Sequence, residues 1–151
     1  MPESDEFNNC SSLPFFVNAS DLTTRFLTMQ GSPRVGQPVS FSGQIWNVGT
    51  ASSTSYWLRF CHDNQNCLTQ TEPATNQIGS DGSQNGLGPN TTWGTLNSDQ
   101  WIPGPGDAGP HTVQFCADVA GHPEQNIELD ESNPVNNCSS LSFTVAPPSP
   151  P

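Results

Sequence analysis

The sequence predicts an all-β protein of about seven short strands, folded as two packed antiparallel sheets. Proline and glycine are spread along the whole chain, so no stretch keeps a helical period. Valine, threonine, phenylalanine and tryptophan gather instead in short runs where apolar and polar residues alternate, and clusters of Asn, Asp, Gly and Ser separate those runs. About seven such runs can be counted, which suits two packed sheets.

The first run lies near Asp21–Met29. After the turn Ser32-Pro33-Arg34-Val35-Gly36, the residues Val39, Phe41 and Ile45 alternate with Ser40, Ser42 and Gln44, marking a half-buried strand. Leu58 and Phe60 face inward in the next strand, with Trp57 and Arg59 on its outer side. The turn His62-Asp63-Asn64-Gln65-Asn66 then returns the chain near Cys67-Leu68, as in a hairpin. Another strand falls around Thr91–Trp101. In a long later strand Val113, Phe115, Ala117 and Val119 share one face, and Thr112, Gln114, Cys116 and Asp118 the other. Leu141, Phe143 and Val145 form the inner face of the last strand, with Cys138, Ser140 and Ser142 outside.

The two ends of the chain nearly repeat each other. Residues 8–17, NNCSSLPFFV, return as residues 136–145, NNCSSLSFTV, with eight of ten positions identical and a constant shift of 128 that also sets Glu3 on Glu131 and Met1 on Leu129. A fixed internal period signals repeat architecture. The expected organisation is a strand of a preceding repeat, or a donated strand, over 1–18; a β-sandwich over 19–146; and a proline-rich linker over 147–151. The chain reads as one unit plus the last strand of another. That extra strand, with Asn8, Asn9, Leu13, Phe15 and Val17 as its marked residues, needs an edge to pair with.

There is no lysine, and only Arg25, Arg34 and Arg59 oppose fourteen acidic residues, giving a formal charge of −11 and a pI of about 4.1. Nucleic-acid affinity rests on basic side chains that neutralise phosphates, so nucleic acid is not an expected partner. The basic footprint for anionic lipid is missing too, and no apolar run approaches the roughly 18 residues of a membrane span. Membrane insertion by this chain is not expected. Met1-Pro2-Glu3-Ser4 does not begin a signal peptide, so a secreted protein would have lost one or carry it upstream.

Five cysteines without a CxxC pair read as disulfides, hence an oxidising compartment. Cys116 and Cys138 share the outer phase of consecutive strands, so a cross-strand bridge joins them readily, and Cys61 and Cys67 flank a five-residue turn. Pairing of Cys61 with Cys116 is the competing connectivity. Cys10 is left over. As the repeat counterpart of Cys138, it belongs with the counterpart of Cys116 in a preceding unit or a neighbouring molecule.

Motifs for catalysis are missing. His62, His111 and His122 fit no nucleophile elbow, zinc spacing or triad and read as surface histidines. Asp81-Gly82-Ser83 and Asn85-Gly86-Leu87-Gly88 are glycine-rich, but no lysine or helix follows to make a phosphate loop. No cofactor and no metal are expected. Asp130 and Glu131, in an acidic run with Asn133, Asn136 and Asn137, are the candidates for calcium, although EF-hand spacing is lacking and a hydrogen-bonded loop explains the same residues. Asn9, Asn18, Asn90 and Asn137 begin glycosylation triplets. Trp46 and Trp57 take the outward phase of their strands, where aromatics contact a ligand or pack at the edge of the core.

Several stretches together carry a family resemblance: Asp21-Leu22-Thr23; Pro33-Arg34-Val35-Gly36-Gln37-Pro38-Val39-Ser40-Phe41; Asn47-Val48-Gly49-Thr50; Trp101; His111-Thr112-Val113; and Glu131-Ser132-Asn133-Pro134-Val135-Asn136-Asn137. Over about residues 20–146 the chain resembles a CARDB domain, the cell-adhesion-related domain of bacterial and archaeal surface proteins. The resemblance implies an immunoglobulin-like sandwich without catalysis, often in tandem on secreted or wall-anchored proteins. Its cysteines and its long polar stretch Gln70–Thr92 depart from that pattern. The expected function is therefore a non-enzymatic extracellular or cell-surface structural and adhesive module, a tandem-repeat or self-assembling filament unit joined through its terminal strands. Its partners would be copies of itself, adjacent repeats, or surface carbohydrate or protein. The alternative is a monomeric carbohydrate- or protein-binding module of a secreted protein.

Overall fold

A computed structural model describes residues 18–71, 73–119 and 136–150. Seven strands follow one another: β1 (Leu22–Gln30), β2 (Ser40–Asn47), β3 (Tyr56–His62), β4 (Gly82–Gln84), β5 (Thr91–Asn97), β6 (Gly109–Ala117) and β7 (Cys138–Val145). They form a three-stranded sheet in the order β1-β2-β5 and a four-stranded sheet in the order β4-β3-β6-β7. Every strand pairing is antiparallel. The all-β sandwich expected from alternation is the observed architecture.

Between the sheets lie the inward residues that alternation selects. Val39, Phe41, Ile45, Val113 and Phe115 are all essentially inaccessible to solvent. Phe60 and Phe115 are register partners across β3 and β6, and their rings stack at 4.4 Å, a cross-strand pairing that adds to area burial. Gly43 on β2 makes room for this pair, because a Cβ there would sit 2.5 Å from Phe115 Cδ1. In β1 one extra residue lies between the paired Arg25 and Thr28. This bulge reverses the phase, so Leu22 before it and Leu27 and Met29 after it all reach the core, and Phe26 is turned out with φ 55°.

Asn47 explains one of the motifs quoted above. Fully buried, it accepts from the N–H groups of Asp21 and Gly49 (3.1 and 3.0 Å) and donates to the carbonyls of Ala51 and Leu87 (2.8 and 3.0 Å). All four hydrogen-bonding positions of the amide are thus used. Gly49 is required beside it, since a Cβ would overlap the Ala19 carbonyl and come within 2.6 Å of the Asp21 nitrogen.

Both disulfides, Cys61–Cys67 and Cys116–Cys138, are present. Cys116 and Cys138 are register partners with Cα atoms 4.2 Å apart. The hairpin expected after His62 does not form. Asn64 instead donates to Gln70 Oε1 and the Thr75 carbonyl and accepts from the Asn66 N–H, which winds the chain into successive turns that Cys61–Cys67 closes. The segment then folds over the outer face of the four-stranded sheet, where Cys61, Cys67, Ala74, Cys116 and Val119 make a second small core. Val119 joins this outer cluster rather than the central one because Asp118, with φ 54°, breaks the alternation after β6 ends.

The same cover buries Arg59. Alternation sets it on the outer face, and it is there, but only 1% exposed. Its guanidinium makes a two-pronged ion pair with Asp81, with Nε to Oδ1 at 2.6 Å, and donates to the carbonyls of Cys67 (3.0 Å) and Gln70 (2.6 Å). Gln77 donates to the same Asp81 oxygen at 2.8 Å. A bidentate pair of this kind adds geometric specificity to charge.

At the other end of the sheet, the exit from β7 is tied down. Ala146 bridges Arg34 in parallel, its carbonyl accepting from the Val35 N–H at 3.0 Å and its N–H donating to the Pro33 carbonyl at 2.8 Å. Arg34 also donates to the Pro147 carbonyl at 2.7 Å.

Candidate functional site

Where β3 meets β6, the neighbouring side chains of His62 and Asp63 meet that of His111, 48 residues on from Asp63. His62 is the last residue of β3. Asp63 follows it in the left-handed region, φ 48°, which Asp tolerates better than most residues. Its N–H donates to the Thr112 carbonyl at 2.7 Å, and its Oδ1 accepts from the Thr112 N–H at 2.9 Å. This double clasp turns Oδ2 toward two imidazoles, 3.2 Å from Nδ1 of His62 and 2.6 Å from Nδ1 of His111 on β6.

The rings are fixed from behind. Trp101, whose backbone exchanges two hydrogen bonds with Val39 (2.9 and 2.8 Å), stacks on His62 at 4.4 Å and meets His111 edge-on at 5.4 Å. Phe143 of β7 stacks on His111 at 5.9 Å. Nε2 of His111 lies 2.7 Å from the carbonyl oxygen of Asp107, which can only accept, so this nitrogen carries hydrogen. The Asp107 carboxylate in turn accepts from the Gly104 N–H at 2.7 Å and fixes the turn that presents the carbonyl. Asp63 also lines a groove of about 640 Å³ with Asn64, Gln65, Thr112, Gln114 and Ser140.

Electrostatics follow from these contacts. Burial alone would lower the pKa of His111, but hydrogen bonds to the Asp63 carboxylate and the Asp107 carbonyl, with the charges of both acids, hold it above its ordinary value. Burial would raise Asp63, yet hydrogen bonds from His111, the Thr112 N–H and His62, with the His111 charge, hold it below the usual carboxylate value. The two contributions to stability have opposite pH limits. That of His111 is complete below its ordinary value and is lost as pH rises through the raised folded value. That of Asp63 is present above its ordinary value and is lost as pH falls through the lowered folded value. Chelator-treated protein is expected to show a shallow stability maximum between these limits, worth less than about 1 kcal/mol because Asp63 is exposed. Urea unfolding across this range checks it, and His111→Asn is expected to flatten the alkaline limb.

His62 and His111 are thus half-buried and clustered, a correction to their reading as surface histidines. Their donor atoms and that of Asp63 lie within 4.8 Å of one another and are suited to holding a metal ion. Sequence spacing could not find this set, since His111 reaches it from another strand; the His62-Asp63 dipeptide at a strand end was the available signal.

The remaining candidates are placed as follows. Trp57 packs against the outer disulfide cluster. Trp46 is half-buried, with the guanidinium of Arg25 5.1 Å from the centre of its ring. Each of the three arginines is engaged within the fold. Asn137 is only 2% exposed, so its glycosylation triplet is closed to modification once the chain is folded. Cys10, the expected strand with Asn8, Asn9, Leu13, Phe15 and Val17, the calcium candidates Asp130 and Glu131, and His122 lie outside the described residues. Among the described residues no helix is long and apolar enough to cross a membrane.

A seven-stranded antiparallel sandwich with these loops defines an immunoglobulin-like module. No family model matches the chain, and no curated protein matches it. Solved structures do. The crystal structure of the CARDB domain of the PF1109 protein from Pyrococcus furiosus, determined in complex with di-metal ions, superposes with a TM-score of 0.58 at 16% identity over 89% of this chain and 100% of that one. The solution NMR structure of the same domain gives 0.60 at 18% identity over 86% and 98%. The chain has a CARDB-like fold.

Proposed function

We propose that the chain is a non-enzymatic structural and adhesive module of an extracellular, cell-surface protein, joined to adjacent repeats or to copies of itself through its terminal strands. One observation carries this reading. The described residues already hold a two-sheet sandwich in which β7 is present and paired along β6. Residues 8–17 therefore repeat the sequence of a strand that this sandwich does not lack, and a segment of that sequence is suited to pairing with an edge outside it.

The cysteines point the same way. Cys61, Cys67, Cys116 and Cys138 are bonded to one another, so the fifth, Cys10, has its natural partner in another unit. Disulfides also suit an oxidising, extracytoplasmic setting. The likeness in fold to a cell-adhesion-related domain supports the adhesive role.

Electron microscopy of the non-reduced chain beside one lacking residues 1–17 tests the proposal. Filaments or end-to-end oligomers are expected from the full chain alone, with the shortened chain keeping the same far-ultraviolet circular dichroism. Replacing Cys10 with serine is expected to remove any covalent oligomer from non-reducing gels. Dispersed single particles from both chains would overturn self-assembly by this route and favour the monomeric carbohydrate- or protein-binding module.

A further inference from the structure

We propose that His62, Asp63 and His111 form a binding site for one divalent transition-metal ion of the zinc type. The orientation of His111 carries the inference. Its Nε2 hydrogen is committed to the Asp107 carbonyl, so in a neutral ring Nδ1 is a bare lone pair. That lone pair faces Asp63 Oδ2 at 2.6 Å, which has no hydrogen of its own when ionised. Positive charge is required between the two atoms, and a proton or a metal cation supplies it. An imidazole that donates one N–H to a backbone carbonyl and offers its other nitrogen to an ion is the usual outer arrangement of a metal-ligating histidine.

The side chains of the site are held by their neighbours, with all three donor atoms within 4.8 Å of one another. Thr112 holds Oδ1 of Asp63, Trp101 backs the His62 ring and Phe143 backs His111. Metal–ligand bonds of about 2.0–2.1 Å place tetrahedral ligands roughly 3.3 Å apart. The His62–Asp63 pair has that separation now, at 3.2 Å, and the Asp63–His111 pair needs to open by only about 0.7 Å. Two imidazole nitrogens and one carboxylate oxygen suit zinc, cobalt or nickel, whereas calcium and magnesium prefer oxygen alone. Three protein ligands leave a fourth position for water or a donor from a bound molecule, and Asp63, part of both the cluster and the adjoining groove, gives access from solvent.

Calorimetric titration of the chelator-treated full chain with zinc, and visible absorption of the cobalt form, test the site. One equivalent per chain is expected, with the intense visible bands of tetrahedral cobalt. His62→Ala and Asp63→Asn are each expected to weaken binding more than about 10-fold, circular dichroism confirming that they fold. Cys10→Ser and His122→Ala are expected to bind as the parent does. No binding up to millimolar zinc, or binding that survives His62→Ala and Asp63→Asn, or binding lost in Cys10→Ser or His122→Ala, would overturn the assignment.

Discussion

Replacing Asp81 with alanine is expected to lower the unfolding free energy by about 3–5 kcal/mol, since it leaves the guanidinium of Arg59 buried without its counter-charge. Both side chains are wholly buried, so water cannot take the place of the carboxylate without opening the loop that covers the outer sheet. Arg59→Met with Asp81→Leu removes both charges, and its loss is expected to be smaller than that of Asp81→Ala. It is not expected to be nil, because the Cys67 and Gln70 carbonyls lose their donor. Equilibrium urea unfolding with both disulfides intact checks this. A loss under about 1 kcal/mol for Asp81→Ala, the range of an exposed pair, would contradict the account of a buried one.

Asn47→Ala is the second large effect, expected to cost about 3 kcal/mol or more. It removes the hydrogen bonds from the N–H groups of Asp21 and Gly49 and to the carbonyls of Ala51 and Leu87; the Leu87 carbonyl keeps the Ser53 N–H at 2.9 Å, but each buried group left unpaired costs about 1–3 kcal/mol. Asn47→Asp separates shape from hydrogen bonding. It keeps the size and both acceptors but points oxygen at two carbonyls, so a loss comparable to that of alanine is expected in the same unfolding measurement. If Asn47→Asp were as stable as the parent, the amide donors would not be what joins the three segments.

Much of the sandwich was legible because a strand with one face on the opposite sheet and the other turned away from it alternates, and Val39, Phe41, Val113, Phe115 and Val145 mark that inner face. The cross-strand bridge followed from the same parity, with Cys116 and Cys138 on one face of neighbouring strands. Parity says which side of a sheet a residue takes, however, and not what covers that side. Arg59 was assigned to the correct face and still missed as a buried cation, because its cover comes from a polar segment held by side-chain amides, with no apolar period to read. β4 escaped for a related reason: Gly82-Ser83-Gln84 pairs through its backbone with Tyr56–Leu58 and carries no strand-like composition. The His62–Asp63–His111 cluster depends on β3 and β6 being neighbours in register, a long-range pairing that one sequence does not state.

The Cys116–Cys138 bridge bears on how this module would behave under tension. A pull on the chain beyond β7 first loads Ala146 and its neighbours, then unzips β7 from β6, and stops at Cys138, where the covalent link passes the load straight to Cys116. The 22-residue separation between the two cysteines then never pays out, which withholds roughly 70 Å of contour at about 3.4 Å per residue. The six-residue separation of Cys61 and Cys67 withholds roughly 15 Å more. A string of such modules in an oxidising medium would be a short-travel tether, yielding little length before its strands are fully drawn out, and reduction would lengthen its reach without changing its sequence.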